Sequence, residues 1–178
     1  MEQTKKDLIK VKEKKKYFYV IILVILVVDQ VIKITLSAIG DVTVIPDVFQ
    51  LHIVQNTQGT YGVNSDSTIL YIFTNIIVLG IVFRFLRMEN QFVDTKLKIF
   101  LSFVLAGGIS NLIDRLVRGY VLEYIDFTKV IPIPVLNLAD IFIAIGWICI
   151  VARFASFTVK EWRKNKEEKI IKNEKEES

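Results

Sequence analysis

Four long apolar runs organise this chain. The first extends from Tyr17 to about Leu36 and opens with twelve uncharged residues, as far as Val28. Ser67–Phe83 is uncharged and continues to about Leu86, Ile99–Ile113 gains length from Leu97, and Ile141–Ala152 continues past Arg153 to Val159. With its polar ends counted, each run reaches roughly 17–20 residues, about what a hydrocarbon core of ~30 Å requires. Backbone groups in lipid must find partners within their own segment, so the runs predict four helices. Between the first two, the spacing changes. Val42 and Val44 alternate with polar residues, and Phe49-Gln50-Leu51-His52-Ile53 does the same. A period of two predicts strands, hence a small sheet beside the membrane, with Gly59 and Gly62 marking a turn after Asn56. The predicted fold class is an all-α membrane protein of four transmembrane helices with a small extracytoplasmic β-sheet.

Composition and charge sharpen this picture. Hydrophobic residues form 52% of the 178, too many for an ordinary soluble domain unless the excess lies in spanning helices. A single Cys and a single His exclude a disulfide framework and any multi-His or multi-Cys metal site. No metal or cofactor is expected. Cys149, inside an apolar run, reads as a buried and unreactive thiol, and His52 as a surface residue of its strand. The seven lysines of residues 1–16 abut an apolar run and are interrupted by Asp7 and Glu13, which marks a cytoplasmic flank and no nucleic-acid arm. The Arg84/Arg87/Lys96/Lys98 and Arg153/Lys160/Arg163/Lys164 groups fall on the same side. Residues 37–66 and 115–136 hold only Arg115, Arg118 and Lys129. Both termini are therefore expected in the cytoplasm, with the two longer connections outside. This divides the chain into a basic tail (1–16), a membrane domain (17–160) with an extracytoplasmic insert (37–66), and a charged tail (161–178). Ser37-Ala38-Ile39-Gly40 faintly resembles a signal-peptide cleavage site, but Asp29 and Lys33 interrupt the preceding run, so a retained helix is expected.

Ionisable groups near a membrane are costly, so the polar residues at the helix ends carry the chemistry. Asp29 and Lys33 stand one turn apart, as an i,i+4 ion pair or as a polar rim for a substrate backbone. Asn111, Asp114 and Arg115 share one face of the third helix, where Gly107 and Gly108 permit close helix contact. Asn137-Leu138-Ala139-Asp140 reads as a helix cap. The acids Asp114, Glu123, Asp126 and Asp140 nevertheless converge on one membrane face. Carboxylates brought together share a proton, so one can activate a water while the other donates to a carbonyl.

These elements resemble lipoprotein signal peptidase (signal peptidase II), a bacterial family of membrane aspartic peptidases. Asp29-Gln30-Val31-Ile32-Lys33 matches its D-x-x-x-K element. Ser110-Asn111-Leu112-Ile113-Asp114-Arg115 approximates G-N-x-x-D-R, with Ser for Gly, and Asn137-Leu138-Ala139-Asp140 completes N-x-A-D. The similarity covers roughly residues 17–160. It implies an enzyme that removes signal peptides from diacylglyceryl-modified prolipoproteins without metal or nucleotide, in contact with membrane lipids. It also implies that Asp140 is one catalytic acid, that Asn111, Arg115 and Asn137 orient the pair and bind the scissile peptide, and that Asn56 stands in the family's N-x-G-A-A-F element.

Two departures follow from the same comparison. In Asn56-Thr57-Gln58-Gly59-Thr60-Tyr61-Gly62, Gln58 and Gly59 replace Gly-Ala. The family's V-V-D-x-I-D segment reads Val121-Leu122-Glu123-Tyr124-Ile125-Asp126, which puts Glu123 at the first catalytic position. The extra methylene displaces a carboxylate by roughly 1–1.5 Å on a fixed backbone, a scale that can cost about a hundredfold in rate. Three accounts follow: Glu123 works in an adjusted site, Asp126 substitutes for it, or the chain is a weakened paralogue that binds lipidated substrates without efficient cleavage. A Ser37–Lys33 peptidase is a different class of reading, disfavoured by Asp29 beside Lys33. A transporter lacks the expected repeats or broken helices.

Overall fold

The computed structural model describes residues 2–57, 68–89 and 93–176. Its elements, in chain order, are α1 (Glu2–Ile39), β1 (Val42–Ile45), β2 (Phe49–Asn56), α2 (Thr68–Arg87), α3 (Thr95–Arg118), β3 (Val121–Asp126) and α4 (Leu138–Glu176). Among the described residues, four stretches are long and apolar enough to cross a membrane: Tyr17–Ile39, Ile69–Arg87, Thr95–Arg118 and Leu138–Glu167. The Gly59–Gly62 turn and the Gln58-Gly59 departure lie outside the described residues.

α3 is the axis of the bundle. It packs against α1, α2 and α4, and 61% of its span is buried against 17–22% for the other three. It is also the least apolar span, with mean hydropathy 1.5, because its neighbours rather than lipid surround it. The outer helices point Leu23, Ile34, Ile69 and Ile148 outward, 60–81% exposed, where hydrocarbon would solvate them. Asp94 caps α3 by accepting the Leu97 N–H at 3.0 Å, and Gly119, left-handed at φ 81°, ends it. Gly107 brings α4 close: a Cβ there would stand 2.4 Å from the Ala139 carbonyl oxygen and 2.7 Å from Ile143 Cγ1. The first turn of α4 therefore rests directly on α3.

The apolar runs understate α1 and α4. The charged residues 2–16 and 160–176 continue the same helices, since Lys and Glu are good helix formers. At 38 and 39 residues these helices are about 57–59 Å long, well beyond a ~30 Å core.

Three antiparallel strands in the order β1-β2-β3 join the two long connections. β1 and β2 form a hairpin through Pro46-Asp47, with Asp47 left-handed at φ 58°, a conformation Asp tolerates. β3, not foreseen as a strand, is the most buried of the three, with Val121 and Leu122 each 2% and Tyr124 3% exposed. It is tied to the entry of α4: the Tyr124 and Ile125 N–H groups donate to the Leu136 carbonyl at 2.9 and 2.7 Å, and the Leu138 N–H donates to the Tyr124 hydroxyl at 3.2 Å.

Candidate active site

Asp140 owes its position to the start of α4. Its backbone N–H donates to Asn137 Oδ1 at 2.8 Å, and its Oδ2 accepts the Asn137 N–H at 3.1 Å. This is the reciprocal cap expected from the sequence, and it serves the site as well, because it fixes the carboxylate. Asp140 Oδ1 accepts the Asn111 amide at 2.7 Å. Asn137 in turn donates to Asn111 Oδ1 at 3.1 Å and to the Leu122 carbonyl at 3.2 Å, which joins α3, β3 and α4.

Glu123 comes from β3. Asn56, at the end of β2, donates its amide to Glu123 Oε1 at 2.6 Å. Glu123 is only 9% exposed, and this burial is the main reason its pKa rises from 4.5 to about 7. The Asn56 hydrogen bond opposes the rise, the Asp140 charge adds to it, and Arg115 and Lys33 oppose it more weakly. An acid held near neutrality beside a second carboxylate is suited to proton transfer.

Glu123 and Asp140 line one cavity of about 560 Å³ between α2, α3 and α4. Asn111 and Arg115 share its polar end with the two acids, and Val78, Leu79, Val104, Ile143 and Trp147 form an apolar wall. The Arg115 guanidinium lies 5.9 Å from the centre of the Tyr71 ring and Arg115 donates to the Asn111 carbonyl at 3.4 Å. A peptide reaching this end meets two acids, two donors and an apolar trough that runs among the helices. A second cavity of about 140 Å³, lined by Phe18, Tyr19, Leu86, Arg87, Glu89 and Lys98, lies apart from both acids.

The other expected residues support this site from behind. Asp29 and Lys33 are completely buried, so they form the ion pair and offer no rim to a substrate. Lys33 Nζ is 2.8 Å from Asp29, 2.9 Å from Asp114 and 3.1 Å from Asn111 Oδ1. Asp29 Oδ1 accepts the Ala139 N–H at 3.0 Å, one residue before Asp140. Asp114 does not share the cavity with Asn111 and Arg115. It accepts instead from Lys33, Arg118, Gln30 and the Leu122 N–H. Asp126 also turns away. Three residues beyond Glu123 on a strand, it faces the opposite side, where Gln50 (2.6 Å) and the Thr128 N–H (2.7 Å) bind it. The Thr128 hydroxyl and Gln50 amide, followed by the Thr128 N–H, pull its pKa down to about 2.

The structure also bears on the remaining expectations. Ser37 donates its hydroxyl to the Lys33 carbonyl at 2.7 Å and makes no contact with the amine, which speaks against a Ser–Lys pair. His52 is on the surface, 2.8 Å from Asp41. Cys149 is half-buried, not fully enclosed, because it lies on the outward flank of α4. Sequence reasoning missed Gln30 and Ser110. Ser110 donates to Asp29 at 2.5 Å and accepts from Gln30 at 2.8 Å, linking α1 to α3. Two polar residues inside apolar runs were the available signal. Tyr71 and Trp147 of the cavity wall gave none, since aromatic residues are ordinary in spanning helices.

Comparison with known proteins bears on this arrangement. Residues 21–156 match the family model described as signal peptidase (SPase) II. The lipoprotein signal peptidase of Clostridioides difficile is 32% identical over 132 residues, 71% of this chain and 87% of that one. The Staphylococcus carnosus protein of the same name is 33% identical over 132 residues, 71% and 82% of the two chains. In Brevibacillus brevis the corresponding enzyme is 35% identical over 106 residues, 59% and 69%. A bacterial membrane enzyme structure obtained in meso at 2.3 Å superposes with a TM-score of 0.71 at 24% identity, covering 80% of this chain and 90% of its own.

Proposed function

This chain belongs to the signal peptidase II family of aspartic-type membrane proteases, and on that premise we propose that Asp140 and Glu123 are its catalytic pair, acting on diacylglyceryl-modified prolipoproteins. The observation that carries the assignment is that the two acids line one cavity, each held by an asparagine amide, with Arg115 at the same polar end.

The chemistry follows from the geometry. The pair holds one proton. Asp140, both of whose oxygens already accept hydrogen bonds, removes a proton from a water, whose oxygen attacks the scissile carbonyl carbon. Glu123, protonated up to about pH 7, donates its proton to the carbonyl oxygen, giving a neutral tetrahedral diol. Asp140 then passes its proton to the amide nitrogen as the C–N bond breaks. The diol returns its second proton to Glu123 and collapses to a carboxylic acid. Bonds and protons balance, and no metal takes part. Arg115 and Asn111 sit where they can orient the peptide, and the apolar wall suits acyl chains that remain among the helices while the peptide reaches the acids.

The Glu123–Asn56 contact supports an adjusted, working site, because it gives the longer side chain a partner at its carboxylate. The distribution of Lys and Arg supports a multi-pass protein of the bacterial cell membrane with both termini in the cytoplasm and the acids on the outer face. The direct test of function is cleavage of a diacylglyceryl-modified prolipoprotein by purified wild type beside Asp140→Asn. Wild type should release signal peptide and the variant should be inert. Equal rates refute the assignment of Asp140.

A further inference from the structure

The pairing of β2 with β3 changes register in the middle of the ladder. Gln50 pairs with Asp126 and Leu51 with Ile125, but Val54 pairs with Glu123, Gln55 with Leu122 and Asn56 with Val121. His52 and Ile53 therefore stand together opposite Tyr124, a bulge of one extra residue on β2. The extra residue decides which way Asn56 points. Side chains alternate between faces, so a slip of one residue exchanges the faces for everything beyond it. With the bulge, Asn56 lies opposite Val121 and diagonal to Glu123 on one face, within reach of its carboxylate. Without it, Asn56 would occupy the other face. The 2.6 Å bond from Asn56 to Glu123 depends on this one inserted residue.

A bulge breaks the ladder and leaves backbone groups in need of partners. Here the partner is Asp41, in the short link between α1 and β1. Its Oδ1 accepts the Ile53 N–H at 2.8 Å, and its Oδ2 is 2.8 Å from His52 Nδ1. Both bulged residues are thus held by one carboxylate. The Ile53 N–H, followed by His52, keeps the Asp41 pKa below its ordinary value, as a carboxylate used as an acceptor requires. None of this belongs to the motifs that mark the site.

We infer that Asp41 is a positioning residue for cleavage: with His52 it clasps the β2 bulge that turns Asn56 onto Glu123. The inference rests on the reading of Glu123 as a catalytic acid. Asp41 and His52 are on the surface, with side chains 58% and 45% exposed, so the clasp acts from outside the membrane on a group within the site. The charged groups that face Glu123 are Asp140, Arg115 and Lys33, and those that face His52 are Asp41 and Asp126.

The test is cleavage of a diacylglyceryl-modified prolipoprotein across pH by wild type, Asp41→Ala, Asn56→Ala, the double variant, Asp41→Asn and Glu123→Gln. Asp41→Ala and Asn56→Ala should each lose roughly tenfold to a hundredfold in rate. The double variant should be no slower than the slower single one, since both remove the same bond. Both singles should move the alkaline limb of the profile upward, because the Asn56 bond is the strongest of the influences that hold the Glu123 pKa down. Asp41→Asn keeps an oxygen for the Ile53 N–H and should stay within about threefold of wild type. Multiplying losses, an unmoved limb, or Asp41→Asn falling as far as Asp41→Ala overturns the clasp. If that happens while Glu123→Gln is inactive, the clasp fails alone. If Glu123→Gln cleaves normally, the reading of the site fails and the clasp fails with it.

Discussion

Lys33 Nζ lies 3.1 Å from Asn111 Oδ1, and the amide of the same Asn111 lies 2.7 Å from Asp140. A buried charge on α1 is thus one side chain away from the proposed catalytic carboxylate on α4. Two further carboxylates, Asp29 and Asp114, surround the amine, and all three charged groups are fully buried. Removing the cation takes the counter-charge from enclosed Asp29 and leaves Asp114 with Arg118 alone, the costly way to break a buried pair. Lys33→Met keeps most of the volume and should destabilise the protein by about 3–5 kcal/mol. Thermal unfolding of the purified variant in detergent checks this, and an unchanged midpoint contradicts it.

Glu123 and Asp126 make opposite contributions to pH dependence. Glu123 is raised from 4.5 to about 7, so the folded state binds its proton more tightly than the unfolded chain. That contribution is complete below about 4.5 and is lost as pH rises through about 7. In the proposed mechanism cleavage needs the same proton, so kcat/KM should fall on the alkaline side with an apparent pKa near 7. Asp126 is lowered from 3.8 to about 2. Its contribution is present above about 3.8 and lost as pH falls through about 2. An Asp126→Asn variant should therefore retain the alkaline limb of activity while unfolding with less dependence on strong acid. A pH–rate profile with no alkaline limb between pH 6 and 8 contradicts the role given to Glu123 (a window of about one unit either side of its value).

Orientation is tested by fused reporters. Fusions after Gly40 and after Lys129 should report an extracytoplasmic location, and fusions after Glu89 and at Ser178 a cytoplasmic one. A cytoplasmic signal after Lys129 would put Glu123 and Asp140 on the wrong face for exported substrates.

Much of this was legible in the sequence, for physical reasons that differ by element. The four spans followed from hydropathy because lipid enforces helices there. The Asp29–Lys33 pair and the Asn137–Asp140 cap followed from helical spacing, which is local. Their burial did not follow, since it depends on α3 lying at the centre of the bundle. β3 escaped notice because Glu123 and Asp126 blur the alternation that marks a strand. The helical tails of α1 and α4 were hidden by their charge, which says nothing against a helix. The facing of Asn56 toward Glu123 was beyond reach, because it is set by one extra residue earlier in its own strand, β2, and held by Asp41 from a separate link.

The central claim is that Glu123, on β3, shares the catalytic proton with Asp140. The measurement that tests it most directly is the rate at which Glu123→Gln releases signal peptide from a diacylglyceryl-modified prolipoprotein, with Asp126→Asn assayed beside it. Gln keeps the length and the contact with Asn56 but cannot carry the proton, so cleavage should be abolished as fully as in Asp140→Asn. Asp126→Asn, on the opposite face of the strand, should cost no more than about tenfold through its bonds to Gln50 and Thr128. Active Glu123→Gln together with dead Asp126→Asn would contradict the account and move the second carboxylate along the chain.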